Sequence, residues 1–193
     1  MAGWDPDGLT EAEFSEMLAP LFEDAPRFID RLAGGRPYGS WEAVFERALE
    51  IAAGMPEDEQ LELIHAHPPI GAPPGSVSAL SFVEQGHAGD RVVADHERVA
   101  EDLERLNLAY ESRFGFRYVI FVAGRPRWAI VPLMEAAMES DRESEKARAL
   151  RDVVAIARDR AIRIGLMPDG RGDRTSMDKG RQRGAEGTGK ESR

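Results

Sequence analysis

The 193-residue chain has no cysteine and only four histidines. It also has no apolar run approaching the ~20 residues that a membrane-spanning helix needs. Without cysteine, disulfides, thiolate metal sites and a cysteine nucleophile are all excluded. Positive charge is in deficit as well: 25 Lys and Arg stand against 35 Asp and Glu, a net charge of −10. Nucleic-acid binding needs a basic face, and docking on anionic lipid needs a basic patch, so neither partner is expected. Acidic charge favours solubility and says little else about partners. The N-terminal Met1-Ala2-Gly3-Trp4-Asp5-Pro6-Asp7 lacks the basic start and apolar stretch of a signal peptide, and Glu191-Ser192-Arg193 is not a peroxisomal Ser-Lys-Leu address. The expectation is a cytoplasmic protein.

What is present is helical periodicity. Thr10 reads as an N-cap for a stripe of Phe14, Met17, Leu18, Leu21 and Phe22. Pro26 opens a short helix closed by Gly34-Gly35, and Ser40 caps one carrying Trp41, Val44, Phe45, Ala48, Leu49 and Ala52, which Gly54 ends. A helix from Pro56 runs to His65-Ala66-His67, and the four prolines and two glycines of residues 68–75 exclude a regular element there. A long helix is expected from about Leu80 to Tyr110, with Val92, His96, Val99, Leu103, Leu106 and Tyr110 along one side. Tyr118-Val119-Ile120-Phe121-Val122 is the one strand-like run. With nothing to pair against, it is expected as an extended segment wedged between helices. Pro132 starts another helix, and Asp141 caps a last one with Ala147, Leu150, Val153, Val154, Ala157 and Ala161 on one side. The expectation is an all-α fold of seven or eight helices in one domain over residues 5–167. Residues 168–193, rich in Gly, Arg and Asp, are expected to form a disordered tail.

Polar chemistry concentrates around the Pro/Gly-rich break. His67 follows a helix and precedes Pro68, which forces it into extended geometry and turns its side chain out of the helix stripe. An imidazole there can exchange a proton near neutrality, although a structural loop histidine fits the same position. Ser81 and Glu84 share a helix face, but Ser81-x-x-Glu84 is equally a capping box. Gln85 is equally compatible with a solvated surface. His65, His67, Glu84 and His87 form a weak metal pattern, and no metal is expected. His96 reads as a core histidine. Of Arg148, Arg151, Arg158, Arg160 and Arg163, most are expected on a solvated face, with room for one to enter a cleft as a planar donor fork.

Five short segments in order carry a family resemblance. They are Phe22-Glu23-Asp24-Ala25-Pro26 with Arg31-Leu32-Ala33 and Arg36-Pro37-Tyr38-x-Ser40; Ala66-His67-Pro68-x-Ile70-Gly71; Ser81-x-x-Glu84-Gln85; Leu106-Asn107-x-x-Tyr110-x-x-Arg113-Phe114-Gly115-Phe116-x-Tyr118-Val119-Ile120; and Ile156-x-x-x-Arg160. Over residues 14–165 the chain resembles 2-oxo-4-hydroxy-4-carboxy-5-ureidoimidazoline (OHCU) decarboxylases, which complete urate breakdown to (S)-allantoin. The resemblance implies an all-α, cofactor-free, commonly homodimeric enzyme acting on a small molecule. It implies His67 and Glu84 as catalytic residues and Arg160 as a substrate-binding arginine. Pro68, Ser81 and Gln85 would line the pocket, with backbone amides from Val119, Ile120, Phe121, Val122 and Ala123. Pro69, the 71–80 loop with Pro73-Pro74, and the pair Pro126 and Pro132 depart from the usual family pattern. A paralogue acting on a related ureido-imidazoline, a non-catalytic helical interaction module and a metal-dependent hydrolase are the competing readings.

Overall fold

The computed structural model describes residues 5–72 and 93–168. They form seven α-helices: α1 (Glu11–Leu18), α2 (Pro26–Gly34), α3 (Trp41–Gly54), α4 (Glu57–Ala66), α5 (Val93–Phe114), α6 (Val131–Ala137) and α7 (Arg142–Arg163). Short 3-10 turns at Pro6–Gly8 and Arg127–Ala129 are added, and no strand occurs among the described residues. Ser81, Glu84, Gln85, His87, the first part of the expected long helix and the tail from residue 169 onward lie outside the described residues.

Helix ends fall where side chains can replace missing backbone partners. The Thr10 hydroxyl accepts from the Glu13 amide at 3.2 Å, while the Glu13 carboxylate accepts from the Thr10 amide at 2.8 Å, a reciprocal capping box. Ser40 caps α3 through the Ala43 amide at 3.2 Å, and Asp141 caps α7 through the Ser144 amide at 2.9 Å. Pro26 and Pro132 occupy the first turns of α2 and α6, where no intrahelical N–H is required.

Packing places α7 against α3 and α4, α2 against α1, α3 and α4, and α5 against α6. Phe14 stacks between Tyr38 and Trp41, with ring centroids 6.2 and 5.8 Å away, so the start of the chain is fastened to α3. Two residues of the expected stripes are not in the core. Leu49 is 43% exposed and Ala147 is also exposed; both border an open groove where α3 and α7 diverge. Periodicity assigned them the right side of their helices but not the reach of the neighbouring helix.

Past α5, Tyr110, Phe114, Phe116 and Tyr118 form one aromatic cluster that leads the chain inward. Residues 118–122 then run without helix or turn, and Val119 and Val122 are buried. The expected wedge is therefore present. The backbone partners that a ladder would supply come partly from α7: the Arg148 Nη1 donates to the Val119 carbonyl at 2.7 Å. Arg148 is itself fixed by Glu145 and Asp152, each at 2.8 Å, and lies over the Tyr118 ring.

Candidate active site

α4 ends because Pro68 has no N–H and forbids helical geometry at the residue before it. His67 accordingly adopts φ −78°, ψ 138°. Its amide bonds to Ile64 rather than Leu63, at 3.2 Å, which leaves the Leu63 carbonyl for the His67 ring: Nδ1 lies 3.2 Å from it. A carbonyl can only accept, so Nδ1 carries the ring proton and Nε2 holds the lone pair. The residue is 3% exposed, and Nε2 has no hydrogen-bond partner among the described residues. Burial, reinforced by the Arg160 charge, pushes the imidazole from 6.5 down to about 4, against smaller opposing effects of the Leu63 carbonyl and Glu23. The ring is therefore a neutral acceptor at physiological pH.

Arg160 comes from the inner face of α7, three residues beyond Ala157 and seven beyond Val153. It is fully buried. Its Nη1 donates to the carbonyls of Pro20 and Leu21, both at 3.1 Å, and its Nη2 to the Glu23 carboxylate at 2.7 Å. Glu23 and Asp24 both adopt left-handed backbone, φ 51° and 58°. Such conformations cost about 1–3 kcal/mol each in a non-glycine residue and persist where surrounding contacts enforce them. Here the turn delivers the Glu23 carboxylate to the buried guanidinium.

His67 and Arg160 line one pocket of about 500 Å³, counting its open mouth, together with Pro68, residues 118–124, Ile156 and Arg163. Nothing among the described residues accepts from the amides of Ile120 or Val122. The arrangement thus offers a proton acceptor, a buried cation and backbone donors around one concave space. These are the means to take a proton and to stabilise negative charge away from bulk water.

Of the residues singled out from the sequence, His67, Pro68, Val119, Ile120, Phe121, Val122, Ala123 and Arg160 converge on this pocket. Ser81, Glu84 and Gln85 fall outside the described residues. His65 is exposed, whereas His67 is buried. Arg151, Arg158 and Arg163 are exposed, as expected of a solvated face, whereas Arg148 is half-buried in its ion-pair network. Among the described residues no three His, Asp or Glu side chains gather as a metal site, and no helix there is long and apolar enough to cross a membrane. Sequence reasoning did not assign a role to Glu23, Ile156 or Arg163. Glu23 and Ile156 stand within Phe22-Glu23-Asp24-Ala25-Pro26 and Ile156-x-x-x-Arg160, but a left-handed turn at glutamate has no local signature.

The model of the OHCU decarboxylase family matches residues 7–162. The chain is 29% identical over 175 residues to the uric acid degradation bifunctional protein of Bacillus sp. (strain TB-90), covering 91% of this chain and 34% of that protein. It is 32% identical over 150 residues to the uric acid degradation bifunctional protein PucL of Bacillus subtilis (strain 168), covering 78% and 30%. The chain therefore spans about a third of the length of these two relatives. With the 2-oxo-4-hydroxy-4-carboxy-5-ureidoimidazoline decarboxylase of Haloferax volcanii it shares 30% identity over 152 residues, 77% of this chain and 87% of that one. The crystal structure of an OHCU decarboxylase in the presence of (S)-allantoin superposes with a TM-score of 0.61 at 18% identity, over 79% of this chain and 99% of that chain, which is a likeness of fold. With the family model covering residues 7–162, the chain belongs to the OHCU decarboxylase family.

Proposed function

We propose that this chain decarboxylates 2-oxo-4-hydroxy-4-carboxy-5-ureidoimidazoline to (S)-allantoin in urate degradation, without a cofactor. The observation that carries the reading is the buried His67 Nε2, a lone pair with no partner among the described residues, in a pocket shared with Arg160 and residues 118–124. In the reaction the bond between the hydroxyl-bearing carbon and its carboxylate breaks and carbon dioxide leaves. The electron pair moves into the adjacent ring C=N, so the substrate provides its own electron sink. His67 Nε2 accepts from the substrate hydroxyl and takes its proton as the enol-like intermediate collapses to the carbonyl. A proton added to the ureido-bearing carbon on one face then sets the configuration, and the ring nitrogen that received the electron pair takes a further proton, so that one proton is consumed overall for each carbon dioxide lost.

Arg160 holds the ureido group or ring carbonyl, and the amides of Ile120 and Val122 in the 119–123 segment stabilise the charge that develops on the ring, while the Phe121 amide is held by Asp152. Glu84 orients the hydroxyl or the ureido group, and Pro68, Ser81 and Gln85 complete the walls. The substrate arrives as an anion, which favours the protonated imidazole once bound and raises the basicity of a ring that is a weak base when the pocket is empty.

The test supplies OHCU freshly generated from urate by the preceding enzymes and follows optical activity. The expected result is (S)-allantoin formed faster than spontaneous decay. Racemic allantoin at the uncatalysed rate would overturn the proposal. The reading also includes a cytoplasmic homodimer. Trp128 and Leu133, 54% and 37% exposed, offer apolar surface for a second copy. Sedimentation equilibrium should return twice the chain mass at micromolar concentration, and a single chain mass would remove this part.

A further inference from the structure

Arg117 joins two parts of the pocket wall, the end of α4 and the segment that follows α5. Arg117 stands immediately before the substrate-facing segment, and its Nη1 donates to the His65 carbonyl at 2.8 Å and the His67 carbonyl at 3.0 Å. We propose that Arg117 is a positioning residue, a clamp that ties the end of α4 to the segment 118–124 and so aims the His67 imidazole at the substrate.

The last carbonyls of a helix have no intrahelical donors, and Pro68 supplies none. A guanidinium satisfies them with charge-assisted bonds at the negative end of the helix dipole. The bond from Nδ1 to Leu63 fixes the ring relative to α4, but it does not fix α4 relative to the opposite wall. Downstream of His67, the Asn107 Nδ2 donates to the Ile70 carbonyl at 2.9 Å, which holds the loop to α5. Arg117 supplies a further link, from the loop to the residues that face the substrate. Its ion pair with Glu111, at 3.7 Å on the surface, is too long and too exposed to be its main role. Arg117 does not line the pocket of His67 and Arg160. It borders an adjoining cleft that shares Pro68 and Ile70 with that pocket, and its hold on the site is through the His65 and His67 carbonyls.

The inference rests on the decarboxylase reading for its kinetic arm alone. The first measurement needs no substrate: NMR titration of the His67 ring nitrogens in the wild type, Arg117→Ala and Arg117→Lys. The charged groups that bear on the ring, Arg160 and Glu23, are unchanged in these variants. In Arg117→Ala the midpoint is expected to rise from about 4 toward 6.5 as water reaches a loosened imidazole. In Arg117→Lys, whose ammonium reaches both carbonyls, it returns most of the way.

On OHCU, kcat is expected to fall ten-fold or more in Arg117→Ala, with KM changed less than two-fold and lysine restoring most of the rate. If Arg117→Ala does not fold, Arg117→Gln is read in the same way. A titration and kcat equal to the wild type with only a lowered Tm would overturn the proposal, as would a raised KM at unchanged kcat. If the wild type itself does not decarboxylate OHCU, the titration still decides whether the clamp exists.

Discussion

At neutral pH His67 is uncharged, because taking an imidazolium out of water beside the Arg160 guanidinium is unfavourable. The unfolded chain has no such restriction and takes up a proton below about pH 6.5. Between that pH and about 4 the unfolded state binds a proton that the folded state does not, so stability is lost as the pH falls through this window. At about 1.4 kcal/mol per tenfold change, the loss through this one group is about 3 kcal/mol. Denaturant titrations at pH 6.5 and 4 should show the wild type losing about that much more than His67→Asn. Parallel losses would mean that the ring titrates normally. The same burial sets the pH profile of activity: kcat/KM should hold through pH 6.5 and fall only toward 4, since that ratio reports the free enzyme. At this scale the sequence was readable where a neighbour forces geometry, as Pro68 does for His67. Arg160 stands on the apolar stripe of α7, in line with Val153 and Ala157, which separates it from the exposed Arg158 and Arg163. Its partner Glu23 was not readable, because the bond depends on two consecutive left-handed residues.

The element that matters most is the loop from His67 to Gly71. Gly71 has φ +82°, a backbone that side chains rarely adopt, and a Cβ there would press on the Leu103 side chain at 3.0 Å, which would have to give way. Gly71→Ala should cost about 1–3 kcal/mol in denaturant unfolding and lower activity by shifting Ile70 and the adjoining His67. An unchanged midpoint would show that the turn is less constrained than its geometry indicates. Caps and proline positions were legible because they are local: Thr10, Ser40, Asp141, Pro26 and Pro132 each act within one turn of helix. The groove beside Leu49 and Ala147 was not legible, because it depends on how far α3 and α7 diverge. The segment 118–122 was read as extended from its β-branched and aromatic residues, but its attachment to Arg148 required the fold.

For the whole molecule, the site is a product of long-range packing. Glu23, His67, Arg117 and Arg160 are far apart in sequence: α7 seats against α4, Arg160 pairs with Glu23, Arg117 holds the His65 and His67 carbonyls, and the 118–124 segment lines the pocket beside His67 and Arg160. Order along the chain carried the family, since short segments around these residues recur in the family pattern. Contacts among the residues could not be read that way. On the proposed function, the neutral imidazole of His67 in this pocket performs the decarboxylation. The most direct measurement is the initial rate of optically active allantoin formation from fresh OHCU, for the wild type and His67→Asn side by side, with both shown to be folded by circular dichroism. The expected result is a fast, (S)-selective wild type and a variant at the spontaneous, racemic rate. A variant that retains a near-normal rate with the same selectivity would contradict it.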